Sequence, residues 1–308
     1  MGHPQSSILH PLSTLRQWAE FVKFSHTVFA LPFALAAMAV AARANHGWPG
    51  WRLFALILAA MVSARTCAMA FNRIVDRKFD ALNPRTAGRH LPAGKISLAS
   101  AVTLCVISAV GFVVAAWFIN PLCFYLSPVA LAVLCFYSLT KRFTDFTHVF
   151  LGIALGLAPV GGWLAVRGTA VTPLEIVQMT VLAITVVLWL IGFDIIYALQ
   201  DYEFDRRHGL RSLVVAWGPK NALQAAFIAH LVMCGLLLLF GLLCRFRVAY
   251  LIGWMFIFVC LMLEHFLARR RSLNWVNNAF FRLNAVVSIV FFVTTVGEVV
   301  FEGGFKLR

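Results

Sequence analysis

Apolar residues fall in nine long runs, near 26–43, 52–71, 97–118, 121–139, 146–166, 174–197, 221–244, 248–268 and 280–301, and polar residues gather in the segments between them. A helix needs about 20 residues to cross roughly 30 Å of hydrocarbon, and these runs are of that order. Within lipid the backbone has to satisfy its own hydrogen bonds, so runs of this kind predict helices. The pattern therefore predicts an all-α, polytopic membrane protein of about nine transmembrane helices. It reads as one membrane-embedded domain over 1–308, with a polar N-terminal segment at 1–22 and cap loops at 72–96 and 201–220.

Composition agrees. The chain is 61% hydrophobic and only 12% charged, with a mean hydropathy of +0.86, values outside the range of water-soluble globular chains. With the N-terminus inside, most Lys and Arg fall in the inner segments, as positively charged loops stay on the cytoplasmic side. The first residues lack the charged-then-apolar order of a signal peptide, and the expected location is a bacterial inner membrane with the polar site toward the cytoplasm. The net charge of +14 is spread over short loops rather than a separable basic domain, which argues against nucleic acid and for the lipid bilayer and a polyanionic ligand. The seven Cys fall almost wholly within spans, show no C-x-x-C spacing and read as small apolar packers.

Against this background the acids stand out. Asp and Glu total 12, yet Asn72-x-x-x-Asp76-x-x-x-Asp80 and Tyr197-x-x-x-Asp201-x-x-x-Asp205 concentrate them at the ends of two apolar runs. Carboxylates there are costly to desolvate unless something cationic neutralises them. The same step of 125 residues relates every position of one cluster to the other, which predicts two equivalent half-sites facing each other. An i,i+4 step turns a helix by only about 40°, so Asp76 and Asp80 share a face with Asn72 one turn deeper. Hard oxygen donors of this kind suit Mg2+, which is usually completed by substrate phosphates. Bases lie close by in the sequence: Arg73, Arg77, Lys78, Arg85 and Arg89 beside the first cluster, Arg206 and Arg207 after the second, and the pair Lys141-Arg142.

Two charges lie deeper. Arg65 precedes Asn72 by seven residues and Asp194 precedes Asp201 by the same interval, which places both about 10 Å further into the membrane. Either they form a buried ion pair with each other or they line a protein-walled cavity. An apolar chamber capped by metal and bases suits a ligand with a long greasy tail and a diphosphate head, such as a polyprenyl diphosphate.

These motifs, with Asn83-Pro84-Arg85-Thr86-Ala87-Gly88-Arg89-His90-Leu91-Pro92-Ala93-Gly94 and Tyr137-Ser138-Leu139-Thr140-Lys141-Arg142 between them, resemble the UbiA-type intramembrane aromatic prenyltransferase superfamily, of the 4-hydroxybenzoate polyprenyltransferase kind. The first span, Lys23 to Phe33, looks like a branch of which part serves menaquinone synthesis by the futalosine route. The resemblance implies nine helices around a central cavity with the acidic segments as its cap. It also implies Mg2+ ligands at Asn72, Asp76, Asp80, Asp201 and Asp205, diphosphate contacts at Lys141 and Arg142, and a substrate-binding Arg65. Arg73, Arg89 and Tyr197 are the further expected substrate contacts, and Asp76, Asp201 and Asp194 the expected catalytic residues.

The implied reaction is Mg2+-dependent transfer of a polyprenyl group from its diphosphate to a ring carbon of an aromatic acid, 4-hydroxybenzoate or a hydroxynaphthoate, in ubiquinone or menaquinone biosynthesis. Metal and bases stabilise the leaving diphosphate, the allylic cation forms where water is excluded, and Asp194 either stabilises that cation or orients the phenol. Haem and chlorophyllide are alternative acceptors of the same superfamily. A cation-coupled transporter is the rival from another class, and it predicts acids at mid-span rather than at span ends.

Overall fold

The computed structural model describes residues 11–23, 27–270 and 280–301. In chain order the α-helices are α1 (Pro11–Phe21), α2 (Thr27–Ala41), α3 (Trp51–Leu82), α4 (Leu98–Ile119), α5 (Pro121–Phe136), α6 (Thr147–Arg167), α7 (Pro173–Ala198), α8 (Tyr202–Arg207), α9 (Leu213–Leu243), α10 (Val248–Arg270) and α11 (Phe281–Val300), with no strand among the described residues. The starts are written locally. Ser97 caps α4 by accepting from the Ser100 amide, and Asn120 caps α5 just before Pro121. Thr172-Pro173-Leu174-Glu175 opens α7 with a reciprocal capping box and a proline at the first helical position.

Among the described residues eight helices are long and apolar enough to cross a membrane, and the chain is an integral multi-pass membrane protein. The span expected over 26–43 begins at a residue outside those described, and its described part is α2. Helix α2 has 15 residues, about 22 Å at 1.5 Å each, and its apolar part runs from Phe29 to Ala41. Phe33, Ala34, Ala36 and Ala37 are fully buried, so this stretch of α2 packs against protein rather than lipid. At Gly162 of α6 an added Cβ would overlap the Ala34 carbonyl oxygen, which shows how closely α6 approaches α2. The outer faces are greasy instead: Val106, Ile107, Val110 and Trp117 of α4 are each more than half exposed, a surface fitted to acyl chains.

The two halves echo each other: α3 packs on α4 as α7 packs on α9. At 32 residues α3 continues as regular helix through Leu82, so Asn72, Asp76 and Asp80 stand on helix in a stretch expected to begin the first cap loop. The second cluster is built differently. Helix α7 ends at Ala198, a 3-10 turn covers Leu199–Asp201, and Asp205 lies in α8. The later part of the expected 201–220 loop is also ordered: α9 begins at Leu213 and kinks at Gly218, whose φ of 76° favours glycine, ahead of Pro219. On the far side of α7, Trp189 Nε1 donates to Asn284 Oδ1 at 2.8 Å and Asn284 Nδ2 to Glu264 Oε2 at 2.9 Å, tying α7 to α11 and α10.

Candidate active site

Four carboxylates converge on one cavity of ≈ 270 Å³ at the end of the bundle where both clusters lie. Asn72, Asp76 and Asp80 reach it from α3, and Asp201 and Asp205 from the segment that follows α7. The opposed half-sites expected from the repeated spacing therefore face one space.

Each acid is met by a base. Asp76 Oδ1 accepts from Arg142 Nη2 at 2.8 Å, and its Oδ2 accepts from Asn72 Nδ2 at 3.0 Å. Asp80 Oδ1 accepts from Arg89 Nη1 at 2.6 Å, with Arg73 Nη1 3.9 Å from Oδ2. Asp201 takes a two-pronged contact from Arg85, Nε to Oδ1 at 2.9 Å and Nη2 to Oδ2 at 2.5 Å, and a further bond from Asn83 Nδ2 at 3.0 Å. Asp205 Oδ2 accepts from Lys141 Nζ at 3.4 Å. Lys141 and Arg142 thus divide between the two clusters.

The loop after α3 is shaped for this. Asn83 Oδ1 accepts from the Arg85 amide at 3.0 Å, and Thr86 Oγ1 donates to the Asp80 carbonyl at 3.0 Å. Those bonds fold the chain back so that Arg85 crosses the cavity and Arg89 returns to Asp80. Tyr197 completes the far wall, accepting from Arg85 Nη1 at 2.9 Å while its ring lies 5.3 Å beneath the guanidinium.

Lys23 was not among the residues expected in the site, yet it lines the cavity. It holds a left-handed backbone at φ 48°, uncommon for a side chain of its kind. Burial, then the nearby guanidinium groups of Arg73, Arg89, Arg85 and Arg65, push its ammonium down to about 8.

The deeper charges do not pair with each other. Asp194 Oδ2 lies 2.6 Å from His148 Nδ1, and Arg65 Nε is buried with no hydrogen-bond partner. Arg65 lines the polar cavity and also a second, mostly apolar one of ≈ 260 Å³, and Met69, Tyr137 and Leu155 are likewise shared by both. The second chamber is walled by small residues of α3 and α6, Ala60, Ala64, Ala68, Ala154, Ala158 and Gly161 among them. Asp194 does not line the polar cavity itself, although its neighbours Leu190, Phe193 and Tyr197 do.

Among the described residues no group of three or more His, Cys, Asp or Glu is gathered as a metal site. The donor set nevertheless fits a hard cation: it is wholly oxygen from Asp and Asn, and Asp80 Oδ2 is buried with no hydrogen-bond partner.

Residues 30–286 match the model of the UbiA prenyltransferase family. The chain is 26% identical over 259 residues to a 4-hydroxybenzoate octaprenyltransferase of Francisella tularensis, covering 84% of this chain and 88% of that one. A solved apo structure of a UbiA homolog from Aeropyrum pernix superposes with a TM-score of 0.80 at 31% identity, over 89% of this chain and 98% of that one. A UbiA homolog from Archaeoglobus fulgidus, solved bound to GPP and Mg2+, shares the fold at a TM-score of 0.69 and 20% identity, over 92% and 99% of the two chains.

Proposed function

Because the chain belongs to the UbiA prenyltransferase family, and is thus a membrane prenyltransferase, we propose that it transfers a polyprenyl group from polyprenyl diphosphate to a ring carbon of an aromatic acid, 4-hydroxybenzoate or a hydroxynaphthoate, in quinone biosynthesis. The observation that carries this is the junction of two unlike chambers. A cavity of paired acids and bases shares Arg65, Met69, Tyr137 and Leu155 with an adjoining apolar one, which matches a ligand with a charged head and a hydrocarbon tail. The named function of the Francisella relative supports the acceptor class.

Mg2+ is the proposed cofactor, held by Asn72, Asp76, Asp80, Asp201 and Asp205; when bound it offsets the charge that grows on the departing diphosphate. The protein's own part begins with an exchange of partners. Arg142, Arg89, Arg85 and Lys141 now neutralise the acids, and an arriving diphosphate offers the same bases anionic oxygens. With the bases turned to the diphosphate, the carboxylates would be free to hold the cation, so no charge would be left buried alone. Arg73 and Arg65 extend the basic wall inward, placing donors where negative charge develops.

As the C–O bond of the diphosphate breaks, its electron pair leaves with the bridging oxygen and the allylic carbon becomes cationic. Leu151, Leu155, Leu190, Phe193 and Phe281 wall the space below the acids, and their apolar surfaces exclude water that would quench the cation. A ring carbon of the phenol supplies the pair for the new C–C bond, and loss of the ring proton restores aromaticity. Asp194, on α7 beside the cavity-lining Leu190, Phe193 and Tyr197, is the residue proposed to orient the phenol. The membrane is proposed to be a bacterial inner membrane with the acid clusters on the cytoplasmic side, because the basic loops gather there.

The test is an assay of membranes holding the protein with geranyl diphosphate and a panel of hydroxybenzoates and hydroxynaphthoates, with Mg2+ present or chelated. Metal-dependent prenylation of at least one phenolic acid is expected. Absence of transfer to every one of them removes the acceptor assignment.

A further inference from the structure

His148 occupies the start of α6 and is fully buried, ahead of a stretch from Val149 to Val166 made only of apolar and small residues. Its Nδ1 lies 2.6 Å from Asp194 Oδ2 of α7, and its other nitrogen, Nε2, is buried with no partner. A buried imidazole with one committed nitrogen and one idle one is costly to keep for packing alone.

Helix packing explains how the pair is held. His148, Gly152 and Gly156 recur every four residues and form one stripe on α6. A Cβ at Gly152 would lie 2.8 Å from the Val187 carbonyl oxygen, and one at Gly156 would lie 2.9 Å from Val187 Cγ2 and 3.2 Å from the Ala183 carbonyl oxygen. The stripe therefore presses directly on α7, and close approach through small residues is what lets two short side chains meet across the gap. The same two helices present Leu151 and Leu155, and Leu190, Phe193 and Tyr197, to the cavity. Asp194 keeps 19% of its side chain exposed whereas His148 keeps none. The imidazole is the fully enclosed member of the pair, and Oδ1 is the carboxylate oxygen that the Nδ1 contact does not engage.

We propose that His148 is a positioning residue: through the Nδ1–Oδ2 bond it fixes the Asp194 carboxylate with Oδ1 turned to the acceptor, where it receives the phenol O–H and sets which ring carbon faces the allylic carbon. The proposal rests on the prenyl-transfer reading above and adds a residue to it. Its ligand is the hydroxyl of a phenolic acceptor, not the diphosphate. Removing His148 leaves Asp194 free to rotate and to turn away from the acceptor, while the basic wall and the acid clusters keep their own contacts.

The experiment compares purified wild type with His148→Leu, which removes the donor at similar bulk, and His148→Gln, which restores an amide N–H toward Asp194. Initial rates are measured with geranyl diphosphate and the phenolic acid that wild type prenylates best, varying each substrate and Mg2+ in turn, with melting temperature followed in parallel. His148→Leu is expected to lose roughly ten- to a hundredfold in kcat/KM for the phenolic acid, the scale of one hydrogen bond to a charged group. Its KM for geranyl diphosphate and its half-saturating Mg2+ stay near wild type, and His148→Gln recovers most of the loss. Wild-type kinetics for the acid in His148→Leu, or a loss shared by both variants that simply follows their melting temperatures, overturns the positioning role while leaving the prenyl-transfer reading intact. Should His148→Leu not fold, His148→Gln decides: near-wild-type kcat/KM for the acid supports the role, and a deep loss in a folded His148→Gln protein overturns it. A wild type that prenylates no phenolic acid overturns the reading and the role together.

Discussion

Arg85, in the loop that follows the first acidic cluster, reaches across the cavity to grip both carboxylate oxygens of Asp201 in the second, at 2.9 and 2.5 Å. The two residues are 116 apart in sequence, and the contact is what closes the two half-sites over one space. A two-pronged guanidinium–carboxylate pair of this kind has directional as well as electrostatic strength. It also marks where a phosphate would compete, since the guanidinium fork fits either anion.

If Arg85 exchanges Asp201 for the diphosphate, its removal weakens substrate binding more than it weakens the fold. Arg85→Ala is expected to raise KM for prenyl diphosphate by roughly tenfold or more, the scale of one charge-assisted contact. Arg85→Lys recovers only part, because an ammonium cannot make the two-pronged contact. Steady-state kinetics with geranyl diphosphate check this, and an unchanged KM in Arg85→Ala counts against the exchange.

Lys23 gives the site a pH signature. Its ammonium, held down to about 8 by burial and by Arg73, Arg89, Arg85 and Arg65, is charged below that value and loses its proton as pH rises through it, whereas a free lysine stays charged to about 10.4. A bound diphosphate favours the charged form, so binding above pH 8 draws in a proton. The KM for prenyl diphosphate is expected to climb between about pH 8 and 9.5, and Lys23→Arg, which does not titrate there, is expected to flatten that climb. A wild-type profile that is level over this range contradicts the contact.

The packing of α2 is testable apart from the chemistry. A methyl at Gly162 would overlap the Ala34 carbonyl oxygen, and neither helix backbone can yield without moving the wall that carries Phe29. Gly162→Ala is expected to cost about 1–3 kcal/mol, the range for overpacking a tight site, seen as a lower melting temperature in detergent. Gly161→Ala, next in the chain but with nothing within 4 Å of its Cβ, serves as the control and is expected to melt near wild type.

Much of this site was legible in the sequence because its signals are local. The i,i+4 spacing of Asn72, Asp76 and Asp80 needs only a helix, and α3 supplies one through Leu82. Lys141 and Arg142 are the only basic pair between the fourth and fifth apolar runs, and the fold sends one to each cluster. What the sequence could not carry is pairing at a distance. Nothing in the spacing of Arg65 and Asp194 shows that the acid turns to His148, a histidine without metal spacing, and that Arg65 stays at the junction of the chambers. The one available hint was the recurrence of His148, Gly152 and Gly156, a small-residue stripe whose helical neighbour only the fold identifies. The repeat of 125 residues also overstated the likeness of the two clusters, since a 3-10 turn at Leu199–Asp201 replaces the continuous helix of the first.

The central claim is that both clusters act together on one metal-bound diphosphate head. Its most direct test is binding of a non-reactive thio analogue of geranyl diphosphate to purified protein by calorimetry, with and without Mg2+, for wild type, Asp76→Asn and Asp201→Asn. Wild type is expected to bind at least about tenfold more tightly with Mg2+, and each variant, still folded by its melting curve, is expected to lose that gain. Retention of the full Mg2+-dependent gain by either variant would contradict the claim.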